Sequence, residues 1–122
     1  MKSALNWFEI PATDIERAAR FYGTILDTEL KIGEVIPGFL MAMLPVEPGG
    51  IGGAIVQGEA LVPSRAGTLV WLNGGEDLDE VLARVPGAGG QVLAPKRSIG
   101  EHGFFAAFLD TEGNRVGLHS LS

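Results

Sequence analysis

Few residues in this chain can do chemistry. There is no cysteine, which removes disulfides, thiolate zinc sites and a cysteine nucleophile and leaves His, Asp and Glu as the strong metal ligands. The two histidines are His102, in the glycine-bracketed stretch SIGEHGFF, and His119, close to the end of GFFAAFLDTEGNRVGLHS. Glu9 stands in the apolar run NWFEI, where a carboxylate needs a partner once buried. Glu9 and His119 form a general acid–base pair only if the fold brings both to one substrate. Trp7 and Trp71 offer indole faces that attract cations and stack on planar groups. Each also has a structural reading: core filling for the indoles, a satisfied carboxylate for Glu9, a fraying terminus for His119 and a solvated loop for His102.

Motifs of other chemistries are missing. The sequence has no G-x-G-x-x-G, P-loop, G-x-S-x-G or H-E-x-x-H pattern. DTEGN (Asp110 to Asn114) reads as a turn, because Gly and Asn tolerate left-handed backbone and Asp bonds its own backbone further on. As a calcium loop it lacks the remaining ligands. Lys96, Arg97 and Glu101 read as a solvated loop.

The net charge of −6 argues against nucleic acid and anionic membranes, both of which demand a basic surface. A hydrophobic fraction of 46% and a charged fraction of 20% fit an ordinary globular protein. No apolar run approaches the roughly 20 residues of a membrane span, and the opening MKSALNWFEI does not resemble a signal peptide. The expectation is a cytoplasmic protein. At 122 residues a single domain is expected.

The elements that must position these residues occur twice. GFLMAML (Gly38 to Leu44) and GFFAAFL (Gly103 to Leu109) agree at four of seven positions, about half a chain length apart. Upstream of each lies a short strand, ALNWFEI or GTLVWLN, followed by a helical pattern. The first helix opens on a Thr13/Glu16 capping box and carries Ile15, Ala18, Ala19 and Tyr22 on one stripe, continued by Ile25 and Leu26. The second follows the acidic turn EDLDE, which suits a helix N-terminus. It repeats the spacing with Leu78, Val81, Leu82 and Val85 and ends at PGAGG. Three extended runs complete each half: ELKIGEV, FLMAMLP and IGGAIVQ, then GQVLAP, FFAAFLD and RVGLHS. The pattern predicts two β-α-β-β-β modules, about 1–57 and 68–122, joined by the linker GEALVPSRAG at about 58–67.

This organisation resembles the vicinal oxygen chelate superfamily of glyoxalase I, bleomycin- and fosfomycin-resistance proteins and extradiol dioxygenases. The resemblance rests on NWFEIPATDIERAARFYGTIL, on GGQVLAPKRSIGEHGFFAAFLDTEGNRVGLHS, and on the doubling, with DTEGN in place of that family's common Asp-Pro-x-Gly-Asn turn. It implies an α+β fold of two tandem βαβββ modules forming a cup-shaped, partly open eight-stranded barrel, and a homodimer. It further implies that metal ligands, where present, come from the first and last strands of each module. Those positions fall here on Trp7, Leu69, Gly117 and about Gly53, with Gly52 as the alternative. None offers a lone pair to a metal.

Alternation along the strands adds Glu9 to Trp7, Trp71 to Leu69, and Arg115 and His119 to Gly117. The predicted lining is Trp7, Glu9, Trp71, Arg115 and His119, with His102 at the pocket mouth. The function expected is metal-independent, cofactor-free binding of a small aromatic or cationic molecule, as in bleomycin-resistance sequestration. One alternative is a glyoxalase-like lyase or isomerase, using a displaced metal site or Glu9 and His119 as acid and base. The other is an interaction module whose cup is filled by its own side chains.

Overall fold

The computed structural model describes residues 3–122. In chain order the elements are β1 (Trp7–Pro11), α1 (Ile15–Ile25), β2 (Ile32–Ile36), β3 (Phe39–Met43) and β4 (Gly52–Gln57), then β5 (Trp71–Asn73), α2 (Leu78–Leu82), β6 (Gln91–Ser98), a 3-10 turn (Gly100–His102), β7 (Phe104–Leu109) and β8 (Arg115–Ser120). The strands form two four-stranded sheets, ordered β1-β4-β3-β2 and β5-β8-β7-β6. In each, the opening strand runs parallel to the closing strand and the other pairs are antiparallel. The duplication is therefore one of topology, and the two sheets remain unclosed, as an open cup requires.

Helical periodicity decides which sheet face is covered. Ile15, Ala18, Ala19, Tyr22 and Ile25 are buried on α1, and Leu78, Val81 and Leu82 on α2. They pack with Ile10, Ala42, Ile55, Leu72, Ala106, Phe108, Val116 and Leu118 in one core that runs through both modules. The aromatic cluster of Phe21, Tyr22 and Phe108, with centroids 4.9–6.3 Å apart, crosses the junction. Alternate strand residues point the other way, onto the open faces. On sheet one, Leu61 of the linker folds back over Phe39, Met41, Ala54 and Val56 and covers part of that face.

Local details differ from the sequence reading in two places. Asp14, not Thr13, caps α1: its carboxylate accepts from the Arg17 N–H at 3.1 Å. The N–H groups of Thr13 and Asp14 are both taken by Oε1 of Glu112, at 2.9 and 2.8 Å, and that of Ile15 by Oε1 of Gln57. Orphan helix donors are thus satisfied from distant parts of the chain. Lys96 and Arg97 lie in β6, not in a loop. Lys96 bonds Asp77, the cap of α2, at 2.8 Å and sits 4.6 Å from the Phe104 ring centroid.

Candidate functional site

Each module repeats one pairing, an indole on its opening strand beside a glycine on its closing strand. Trp7 pairs with Gly52 and Trp71 with Gly117. A Cβ added to Gly52 would sit 3.1 Å from the Trp7 ring, and one added to Gly117 would collide with the Trp71 ring. The glycines therefore form the floor on which the indoles lie. This register corrects one sequence assignment and decides between the two glycines of another. The counterpart of Trp7 in module two is Trp71, and Leu69 precedes the strand. The counterpart of Gly117 is Gly52, because Gly53 faces the other way, where its Cβ would meet the Phe8 ring at 2.5 Å.

Both indoles reach solvent, Trp7 at 42% and Trp71 at 48% exposure. The Trp7 Nε1–H donates to Oε2 of Glu9 at 3.2 Å, as two residues on one face of a strand allow. Glu9 is exposed and needs no buried partner. A cleft of about 680 Å³ runs beside β1 and β5 beneath the linker. Trp7, Glu9, Pro11, Val62, Leu69 and Trp71 are among its walls.

His119 belongs to a second space. On the open face of sheet two, Trp71, Ile99, Phe105 and His119 line a slot of about 490 Å³. Trp71 and Phe105 meet edge to face with centroids 5.7 Å apart, and the Arg97 guanidinium stands 6.0 Å from the Phe105 centroid. The His119 ring is held by a 2.6 Å contact from Nε2 to the His102 carbonyl. His102 contributes that carbonyl; its own side chain is exposed, 3.8 Å from Glu101. Arg115 is exposed and lines neither space. Glu9 and His119 thus stand on different clefts, with Trp71 common to both. Ile99 and Phe105 were absent from the sequence-derived lining. Alternation fixes which phenylalanine of the Phe104–Phe105 pair faces outward only once the register against Gly117 is known.

The turn that joins β7 to β8 fixes how the modules meet. Asp110 Oδ1 accepts from the N–H groups of Glu112 and Asn114, while Oδ2 accepts from the Tyr22 hydroxyl at 2.7 Å and from Asn114 Nδ2. Asn114 also donates to the Pro11 carbonyl and accepts from the Ser64 N–H. Burial, reinforced by the Asp110 charge and hydrogen bond, holds the Tyr22 hydroxyl well above its ordinary pKa. Glu112 forms a two-point pair with Arg17, at 2.7 and 3.0 Å. Burial pushes its carboxyl up, but the hydrogen bonds from Arg17, Asp14 and Thr111, with the Arg17 charge, outweigh this and leave it lowered.

The positions at which the family resemblance leads one to expect metal ligands, read on the observed register, are Trp7, Gly52, Trp71 and Gly117. An indole N–H only donates, and glycine has no side chain, so these residues do not fit a divalent ion. Among the described residues, no three His, Asp or Glu side chains gather closely enough to hold one.

The fold is shared with several solved structures. A glyoxalase I mutant from Zea mays superimposes with a TM-score of 0.71 at 22% identity, over 93% of this chain and 45% of the maize chain. The chain thus spans about half of that enzyme. A glyoxalase/bleomycin resistance protein/dioxygenase family enzyme from Burkholderia phytofirmans gives 0.69 at 16% identity, over 98% and 100% of the two chains. A genomically encoded fosfomycin resistance protein from Listeria monocytogenes gives 0.66 at 17%, over 100% and 94%. No curated protein matches the sequence. The family model for the Glyoxalase/Bleomycin resistance protein/Dioxygenase superfamily matches residues 4–118. With nearly the whole sequence matched and the paired βαβββ topology present, the chain belongs to that superfamily.

Proposed function

We propose that this protein binds a small aromatic or cationic organic molecule in the cytoplasm, without a metal and without transforming it. The observation that carries this reading is the pair of solvent-reaching indoles, Trp7 beside Gly52 and Trp71 beside Gly117. Trp7 and Trp71 line the cleft between β1 and β5, and the Glu9 carboxylate, bonded to the Trp7 N–H, adds a negative charge there. Such a set suits a planar or cationic guest. The volume of that cleft, about 680 Å³, is in the range of small-molecule sites and argues against a cup filled by its own side chains. A second copy of the chain completes the cup in this reading, because the open face of sheet one leaves Ile36 and Met43 exposed, and Val46 and Ile51 are exposed in the loop before β4.

A thermal-shift screen of aromatic and cationic compounds, run with and without a chelator, tests it. Bound guests raise the melting temperature by mass action, with the same shift in both arms and a smaller one in Trp7→Ala. A stoichiometric divalent ion in the purified protein, together with turnover of a thiol hemiacetal, would sink the reading.

A further inference from the structure

A single charge stands in the cleft between β1 and β5. Among the described residues Glu9 is the only ionisable side chain on its walls, which are otherwise apolar, aromatic or hydroxyl-bearing apart from the amide of Asn114. The Glu9 carboxylate is anchored there, since Oε2 takes the Nε1–H of Trp7 at 3.2 Å and Trp7 is itself a wall. Among the described residues Glu9 enters no ion pair. Its cross-strand neighbour is Ala54 of β4, which brings no polar side chain, and β1 is an edge strand with no strand on its other side. The Asn114 amide is already occupied by the Pro11 carbonyl, Asp110 and the Ser64 N–H. The carboxylate is therefore the polar group left to meet a guest's charge.

Such a carboxylate selects by penalty as well as by attraction. A neutral or anionic guest seated against Trp7 strips water from Glu9 and returns no opposite charge, which costs free energy. An ammonium group returns that charge, and the indole rings beside it attract cations. The net charge of −6 draws cations toward the molecule from a distance. We propose that this cleft is selective for organic cations, an ammonium group on an apolar body, with Glu9 as the counter-ion that discriminates against uncharged aromatic molecules. This rests on the cleft being the guest site, and goes further by excluding the neutral guests that the indoles alone would admit.

The test pairs para-trimethylammonio-benzyl alcohol with para-tert-butylbenzyl alcohol, its uncharged isostere, in titrations of the full chain followed by tryptophan emission. The cation should bind about five- to tenfold more tightly at low salt, as a partly exposed charge pair with a cation–π contact allows. Its advantage should shrink at high ionic strength, where exposed charges are screened. Glu9→Gln keeps an oxygen for the Trp7 N–H and removes only the charge, and should bring the two affinities together. Glu9→Lys should place the cation below the neutral compound. Thermal melts establish that both variants fold. Equal affinity of the two compounds in the wild type, or an undiminished preference in Glu9→Gln, overturns the selectivity, and the cleft survives as a guest site if Trp7→Ala weakens both. Binding of neither compound, or binding that Trp7→Ala does not weaken, overturns the cleft as the guest site and the selectivity with it.

Discussion

Gly117 carries more of this protein's character than either histidine does. A Cβ there would collide with the Trp71 ring, and Trp71 is a wall of both clefts. Gly117→Ala should therefore displace the indole, change the tryptophan emission and destabilise the fold by about 1–3 kcal/mol, the usual cost of overpacking. Gly52→Ala, whose Cβ would stand 3.1 Å from Trp7, should cost less, since that ring edge needs to yield only slightly. Urea melts followed by fluorescence check both, and a silent Gly117→Ala would mean that the ring is not seated there. Sequence reasoning found Gly117 through what it lacks, a metal-binding side chain. It did not find the seat itself, because nothing in a residue string tells which side chain will lie over a glycine.

At the scale of elements, the least legible feature was the start of α1. Thr13 and Glu16 have capping-box spacing, yet the Thr13 N–H goes to Glu112 and the Ile15 N–H to Gln57, and the cap is Asp14, which takes the Arg17 N–H. Glu112 is almost a full chain length away and reaches α1 only because the β7–β8 turn docks on it. Local spacing cannot anticipate a partner delivered by tertiary structure. The turn itself was legible, for Asp110 bonds the backbone of its own turn as the sequence pattern requires. This docking has a pH signature. The Glu112 carboxyl is held below its ordinary 4.5 in the fold, so its contribution is complete above about that pH and fades as pH falls through the lowered folded value. Asp77, lowered mainly by its Lys96 hydrogen bond, fades in the same direction. Glu112→Gln should flatten the acid limb of a stability–pH curve and reduce stability at neutral pH. An acid limb identical to that of the wild type would show that other carboxyls govern it. Asp110→Ala should be costlier at neutral pH, by about 3 kcal/mol or more, because it strands the Tyr22 hydroxyl and the Asn114 amide in the interior.

Over the whole molecule, the duplicated order of elements was readable because it follows from periodicity and turns. How the modules meet was not, because among the described residues no strand-to-strand hydrogen bond joins the sheets and the junction consists of side chains such as Phe21, Tyr22 and Phe108. That junction uses the helix-covered faces and leaves the open faces, with Trp7, Ile36, Met43 and Trp71, in water. Exposed apolar side chains such as these are what a partner would cover, and strand β2, exposed along its whole length, adds an uncovered edge. A second copy answers both needs if the contact buries about 1,600 Å² in total, the size of a stable specific interface. Light scattering during size-exclusion chromatography should give twice the chain mass at micromolar concentration, and Ile36→Glu with Met43→Glu should shift it to the monomer while the fold persists by circular dichroism. The same double variant should weaken any guest held between copies. A wild-type protein that remains monomeric across the whole concentration range would rule out the second copy and leave the proposed cleft between β1 and β5 to a single chain.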